Sequence, residues 1–128
     1  MAYYFGKTLT LTFEKTLDHV KEALTMEGFG VITEIDVQDT LKKKIGVDFR
    51  RYRILGACNP TLAHEALEIE DKVGTMLPCN VVVQDLGSGN VEVAAIDPVA
   101  SMQAIDNPRL KIAAERVQVK LRRVIDGL

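Results

Sequence analysis

Two cysteines, each followed by asparagine, are the sharpest chemical feature of the chain: Cys58 with Asn59, and Cys79 with Asn80. Asn59 before Pro60 reads as a helix start, because an asparagine side chain caps free N–H groups and proline loses no hydrogen bond at the first helical position. Cys58 then sits just ahead of a helix N-terminus, whose dipole favours a thiolate. Such a thiol can serve as a nucleophile or redox centre. Against this, no CxxC spacing is present, and a buried cysteine ordinarily behaves as a small hydrophobe. Spacing also separates the two thiols. A helix filling the interval is roughly 20–25 Å long at 1.5 Å per residue, whereas disulfide Cα atoms lie within about 7 Å. Cys58 and Cys79 are therefore expected at opposite ends of that helix.

Other clusters carry less. His64-Glu65-Ala66-Leu67-Glu68 opens like a zinc-protease helix but has Glu68 where the second histidine belongs. Catalytic zinc takes three protein ligands and an open position. The only other histidine, His19, falls on a different segment, so no metal and no cofactor is expected. Neither Ser88 nor Ser101 has the context of a nucleophile elbow. Gly87 to Gly89 lacks the ending of a phosphate loop. Asp36 and Asp97 each end a strand, where turn chemistry is the ordinary role and acid–base work the rarer one.

Lys42, Lys43, Lys44, Arg50, Arg51 and Arg53 place six cations within twelve residues. A basic run can hold phosphate or a nucleic-acid backbone. Asp39 and Asp48 dilute this one, and a charged run on a short helix is normally a solvated face. Nucleic acid is not an expected partner. A small anionic ligand fits better, since Arg53 falls within a strand pattern and can point into a pocket. The binding residues read from the sequence are Cys58, Asn59 and Arg53, with Cys79 and Asn80.

The elements that must position these residues follow from apolar periodicity. Tyr3 to Phe13 alternates as a strand. Phe13, Leu17, Val20 and Leu24 then recur at helical spacing, with Gly28 as a stop. Val31 to Asp36 is a second strand, Asp39 to Ile45 a short charged helix ended by Gly46, and Arg51 to Ala57 a third strand. Leu62, Ala66, Ile69, Val73 and Met76 form one helical stripe ahead of Pro78. Cys79 to Leu86 and Val91 to Ile96 are strands joined by a turn at Gly87, Ser88, Gly89 and Asn90. Asn107 and Pro108 repeat the cap pattern and open a final helix to about Asp126. The alternation with one tight hairpin gives a single α+β domain over residues 1–128, a mixed, mostly antiparallel sheet packed with helices, with a βαβ-like centre and a C-terminal helix.

Composition narrows the function classes. The chain has 128 residues, 47% hydrophobic and 27% charged, enough for an ordinary core. A formal charge of −2 gives no bulk attraction to nucleic acid or acidic membranes. No Trp and 5% aromatics argue against base-stacking platforms. Neither a membrane span nor a secretory apolar block is present, so a cytoplasmic location is expected. In the last helix, Leu110, Val117, Leu121 and Val124 form a core stripe while Ile112 and Val119 lie roughly opposite. Two apolar sides hint at self-association.

The segments Tyr52-Arg53-Ile54-Leu55-Gly56-Ala57-Cys58-Asn59-Pro60 and Leu77-Pro78-Cys79-Asn80-Val81-Val82-Val83 resemble the domain of unknown function 302 family. Gly28-Phe29-Gly30-Val31 and Lys44-Ile45-Gly46-Val47-Asp48 fit the same family. The resemblance implies a small bacterial or archaeal α+β protein with a mixed sheet, helices and a homodimeric state. It implies no activity and no catalytic residues. The combined expectation is a small homodimeric cytoplasmic binding or assembly module. The alternative is a thiol-dependent enzyme or redox protein using Cys58.

Overall fold

Five side-chain oxygens start five helices. Thr12 accepts from Lys15 N–H at 3.2 Å, Asp36 from Asp39 at 3.0 Å and Asn59 from Leu62 at 3.2 Å. Asp97 accepts from Val99 at 3.0 Å, and Asn107 from Arg109 at 3.0 Å. Each oxygen satisfies a donor that the first helical turn cannot pair internally. The helices that follow are α1 (Phe13–Met26), α2 (Val37–Ile45), α3 (Pro60–Ile69), the single turn α4 (Pro98–Ser101) and α5 (Pro108–Asp126). They belong to a computed structural model that describes residues 2–128. Asp36 and Asp97 thus cap helices.

The strands are β1 (Tyr4–Leu9), β2 (Gly30–Asp36), β3 (Tyr52–Cys58), β4 (Cys79–Gly87) and β5 (Asn90–Ile96). They form one sheet in the order β1-β5-β4-β3-β2, and every pairing is antiparallel. The α+β class read from the sequence holds. The helix-linked centre, β3–α3–β4, carries no parallel pairing. Its connection leaves and returns at the same end of the sheet, so the two strands run in opposite directions.

Two boundaries differ from the periodicity reading. The first strand stops at Leu9, and Thr12 is already the cap of α1. The third helix stops at Ile69 rather than running to Met76. Glu70 is extended at φ −144°, ψ 104°, and Asp71–Met76 form a 3-10 helix. Gly74 and the β-branched Val73 and Thr75 weaken α-helix propagation there.

The sheet buries one face. Leu55 and Ala57 of β3, Val81 and Val83 of β4, and Val91, Val93 and Ala95 of β5 pack under Leu17, Val20 and Leu24 of α1 and Leu121, Val124 and Ile125 of α5. Burying such aliphatic side chains contributes about 1.5–3 kcal/mol each. A smaller cluster of Ala66, Val73, Met102, Leu110 and Ala114 lies where α3 and α4 meet the first half of α5. On the opposite sheet face, Gly6, Ala94, Val82, Ile54 and Ile35 are mutually in register and make an apolar row across all five strands. Ile35 is 48% exposed there. No helix is long and apolar enough to cross a membrane among the described residues.

Candidate functional site

Strand register assembles the site. Cys79 stands opposite Ala57 in the β3–β4 ladder, and Gly30 stands opposite Cys58 in the β2–β3 ladder. Three separated segments therefore meet at one end of the sheet: Gly28 to Gly30, Cys58 to Pro60, and Leu77 to Cys79. This corrects the expectation that Cys58 and Cys79 lie at opposite ends of a helix. The α-helix between them has ten residues, and the 3-10 helix folds the chain back to β3. The two thiols are free and one register step apart on neighbouring strands.

Glycine makes the junction close. At Gly56, a Cβ would fall on Thr33 Oγ1 and lie 2.7 Å from Pro78 Cγ. At Gly28, held at φ +86°, a Cβ would lie 3.0 Å from Asn59 Nδ2. An L side chain at that φ is strained in any case.

Above the junction is an open cavity of about 270 Å³. Phe29 and Ile32 of the β2 segment, the β3 end at Ala57 and Cys58, and Leu77 to Cys79 form one wall. Leu62, Ala63, Ala66 and Leu67 of α3 and Leu110, Ala113, Ala114 and Val117 of α5 form the others, with Pro98 and Met102 beside them. Of eighteen lining residues, fifteen have wholly apolar side chains; the others are Cys58, Asn59 and Cys79. The alanines explain the space. Facing positions on α3 and α5 carry methyl groups where leucines would fill the gap.

Three of the five binding residues expected from sequence line this cavity: Cys58, Asn59 and Cys79. Arg53 does not. It lies five positions back along β3, about 16 Å at 3.3 Å per residue. There it pairs with Glu34 at 2.6 Å and with Asp36 at 3.3 Å. Lys21 joins the same Glu34 at 2.8 Å. Lys21 first, and then Arg53, hold the Glu34 carboxyl below the usual carboxylate range. Asn80 points to the other sheet face, in register with Gly56 and exposed. Among the described residues, no cation lines the cavity.

The basic run is largely occupied. Lys42 pairs with Asp48 and Lys43 with Asp39, each at 2.9 Å; Arg51 pairs with Glu14, and Arg50 donates to Gln84 Oε1 at 2.8 Å. His64 pairs with Glu68 at 3.2 Å on the solvent side of α3. Among the described residues, no group of three or more His, Cys, Asp or Glu is placed to hold a metal ion.

The thiols differ in setting. Cys58 is half-buried and Cys79 is buried. Burial, and secondly the neighbouring Cys58, push the Cys79 thiol up to about 11. It is neutral at physiological pH and a poor nucleophile, since the thiolate is the reactive form.

Sequence reasoning missed most of the lining. Ala66 belongs to a helical stripe legible in the sequence, while Ala63 on α3 and Ala113 and Ala114 on α5 were readable only as small residues on helices. Their pairing depends on α3 packing against α5, which a linear pattern does not encode.

Residues 5–128 match the family described as Domain of unknown function DUF302. The chain belongs to that family. Its fold is similar to the crystal structure of an uncharacterized conserved DUF302 protein from Bacillus stearothermophilus, at 28% identity and a TM-score of 0.90, with 98% of each chain covered. No curated protein matches the chain.

Proposed function

We propose that this DUF302 chain is a small binding module whose ligand is a compact apolar molecule held in the cavity between α3, α5 and the β3–β4 strand ends. The observation that supports this reading is the cavity's lining, fifteen apolar residues of eighteen, around a space of about 270 Å³. Ligand sites are commonly concave and mostly apolar, with few polar groups to fix orientation. The segments Gly28 to Gly30, Cys58 to Pro60 and Leu77 to Cys79 all contribute to it or abut it. A charged ligand would have to lose its hydration with no countercharge in the lining.

The thiol-enzyme reading has less support. A nucleophilic cysteine is activated by a base, a cation or a helix N-terminus, and among the described residues of the cavity lining Cys58 has the start of α3 but neither of the other two. His64 does not line the cavity and is already paired with Glu68.

The module acts as a homodimer in this proposal, with a second copy on the outer sheet face. A half-exposed antiparallel sheet ordinarily presents polar side chains to water. Here the outward residues of the three central strands include Ile54, Val82, Ala94 and Ile96. Five strands about 4.8 Å apart and six residues long present about 500 Å². With flanking Tyr3 and Tyr4, both exposed, the face grows toward the roughly 800 Å² per partner of a stable interface. The last-helix residues Ile112 and Val119 are exposed as well, at 61% and 47%, but they are two isolated side chains among charged neighbours.

Native mass spectrometry of protein purified gently from its own cells tests both parts. A dimer carrying small, solvent-extractable apolar molecules is the expected result. A monomer with no adduct, which also fails to take up added apolar dye, would remove the proposal.

A further inference from the structure

A second open pocket, of about 590 Å³, adjoins the first, between α4, the loop that follows it and the start of α5. Met102 and Ala114 line both spaces. Where the two pockets come closest, they are parted by these two residues, a thioether side chain and a methyl group. Both are buried, and both belong to the small cluster that joins α3, α4 and α5. Met102 follows the single turn of α4. It stands midway between Asp97, tied to α5 by Gln118 Nε2 at 3.0 Å, and Asn107, the cap of α5. Its unbranched side chain repacks around a guest more readily than a β-branched one.

The two pockets differ in polarity. The inner one is apolar except at Cys58, Asn59 and Cys79. In the outer one, Val99, Ile105 and Pro108 continue the apolar surface. Gln103, Asp106, Asn107 and Lys111 add amide, carboxylate and ammonium groups, and all but Asn107 are exposed. The path from the inner cavity past Met102 thus runs from hydrocarbon to a wet, polar mouth.

We infer that the apolar group held in the inner cavity is the tail of a single-chain amphiphile, whose chain passes Met102 and whose polar head lies in the outer pocket. This inference rests on the inner cavity being a ligand site and extends the ligand beyond it. A head group in the inner cavity would lose its water against a lining with few polar partners. In the outer pocket the same group keeps solvent and gains the polar side chains at the mouth. The polarity gradient therefore sets the direction in which the chain lies.

The test compares hexanol and dodecanol as competitors of the uncharged dye N-phenyl-1-naphthylamine, on the wild type and on Val99→Trp. Val99 is half-buried and lines the outer pocket but not the inner one. Tryptophan there occupies the outer space and leaves the inner cavity as it is. Each further methylene taken out of water tightens binding about fourfold. The expected result is dodecanol binding to the wild type at least about a hundredfold tighter than hexanol. In Val99→Trp, dodecanol should lose at least about tenfold while hexanol is unchanged.

Photolabelling of the wild type reads the direction without any variant. A dodecanol with a diazirine at its methyl end should label the inner segment Leu77 to Cys79. One with the diazirine beside the hydroxyl should label Val99 to Lys111, as read by peptide mass spectrometry. Equal affinity of the two alcohols for the wild type overturns the inference while the inner cavity stands. So does a Val99→Trp loss that is absent or shared equally by hexanol, and so does the reversed labelling pattern. If neither alcohol displaces dye, the ligand-site reading fails and the inference with it.

Discussion

Gly28 makes room for the Asn59 amide: a Cβ on Gly28 would lie 3.0 Å from Asn59 Nδ2, closer than side chains normally pack. The left-handed end of α1 and the N-cap of α3 are thereby fitted to one another. Gly28 and Asn59, thirty-one positions apart in sequence, thus meet beside the cavity.

Gly28→Ala tests that fit. Alanine at φ +86° is disfavoured by about 1–2 kcal/mol on backbone grounds alone, and Asn59 must also shift. Urea denaturation is expected to show a stability loss of at least that size. A substitution without effect on stability would contradict the close approach.

The buried thiol gives a pH signature. The Cys79 pKa is raised from the ordinary thiol value of 9.0 to about 11. Between those values the unfolded chain has released this proton and the folded chain still holds it. Unfolding is then favoured as pH rises. The contribution, about 3 kcal/mol for a shift of this size, is fully present below about pH 9 and lost above about pH 11. Urea midpoints measured from pH 8 to 11 should fall more steeply for the wild type than for Cys79→Ala. Iodoacetamide at pH 8 should label Cys58 in the folded protein and spare Cys79. Equal labelling of both thiols would contradict the burial.

How much of this was legible in the sequence depended on range. Asn59-Pro60 and Asn107-Pro108 identify helix starts because a cap acts within three residues, and the structure has both. Gly87 to Gly89 marks the β4–β5 hairpin for the same reason. The approach of Cys79 to Ala57 was not legible. It depends on where α3 stops, and a periodic stripe through Val73 and Met76 hides the break at Glu70. Arg53 looked available for a ligand because its partners Glu34 and Asp36 lie on another strand, and only the β2–β3 register brings them together. The cavity was hidden likewise, since its alanines come from helices whose packing is set by the whole sheet.

The outer sheet face yields a prediction about assembly. Val82→Lys places a charge in the middle of the apolar row without touching the core face, where Val81 and Val83 are buried. Sedimentation velocity should show a dimer for the wild type and a monomer for Val82→Lys, with the cavity's dye binding retained. The double variant Ile112→Lys, Val119→Lys should stay dimeric. The reverse pattern would move the interface to α5.

The most direct test of the central claim is titration with N-phenyl-1-naphthylamine, whose fluorescence rises in apolar surroundings, of the wild type and of Ala63→Leu. Ala63 is half-buried in the cavity wall, so leucine there occupies ligand space while leaving the packed core alone. The account predicts saturable binding near one dye per chain, weakened by at least about tenfold in Ala63→Leu, with thermal stability equal or higher as the void is filled. Absence of saturable binding, or equal affinity in the two proteins, would contradict it.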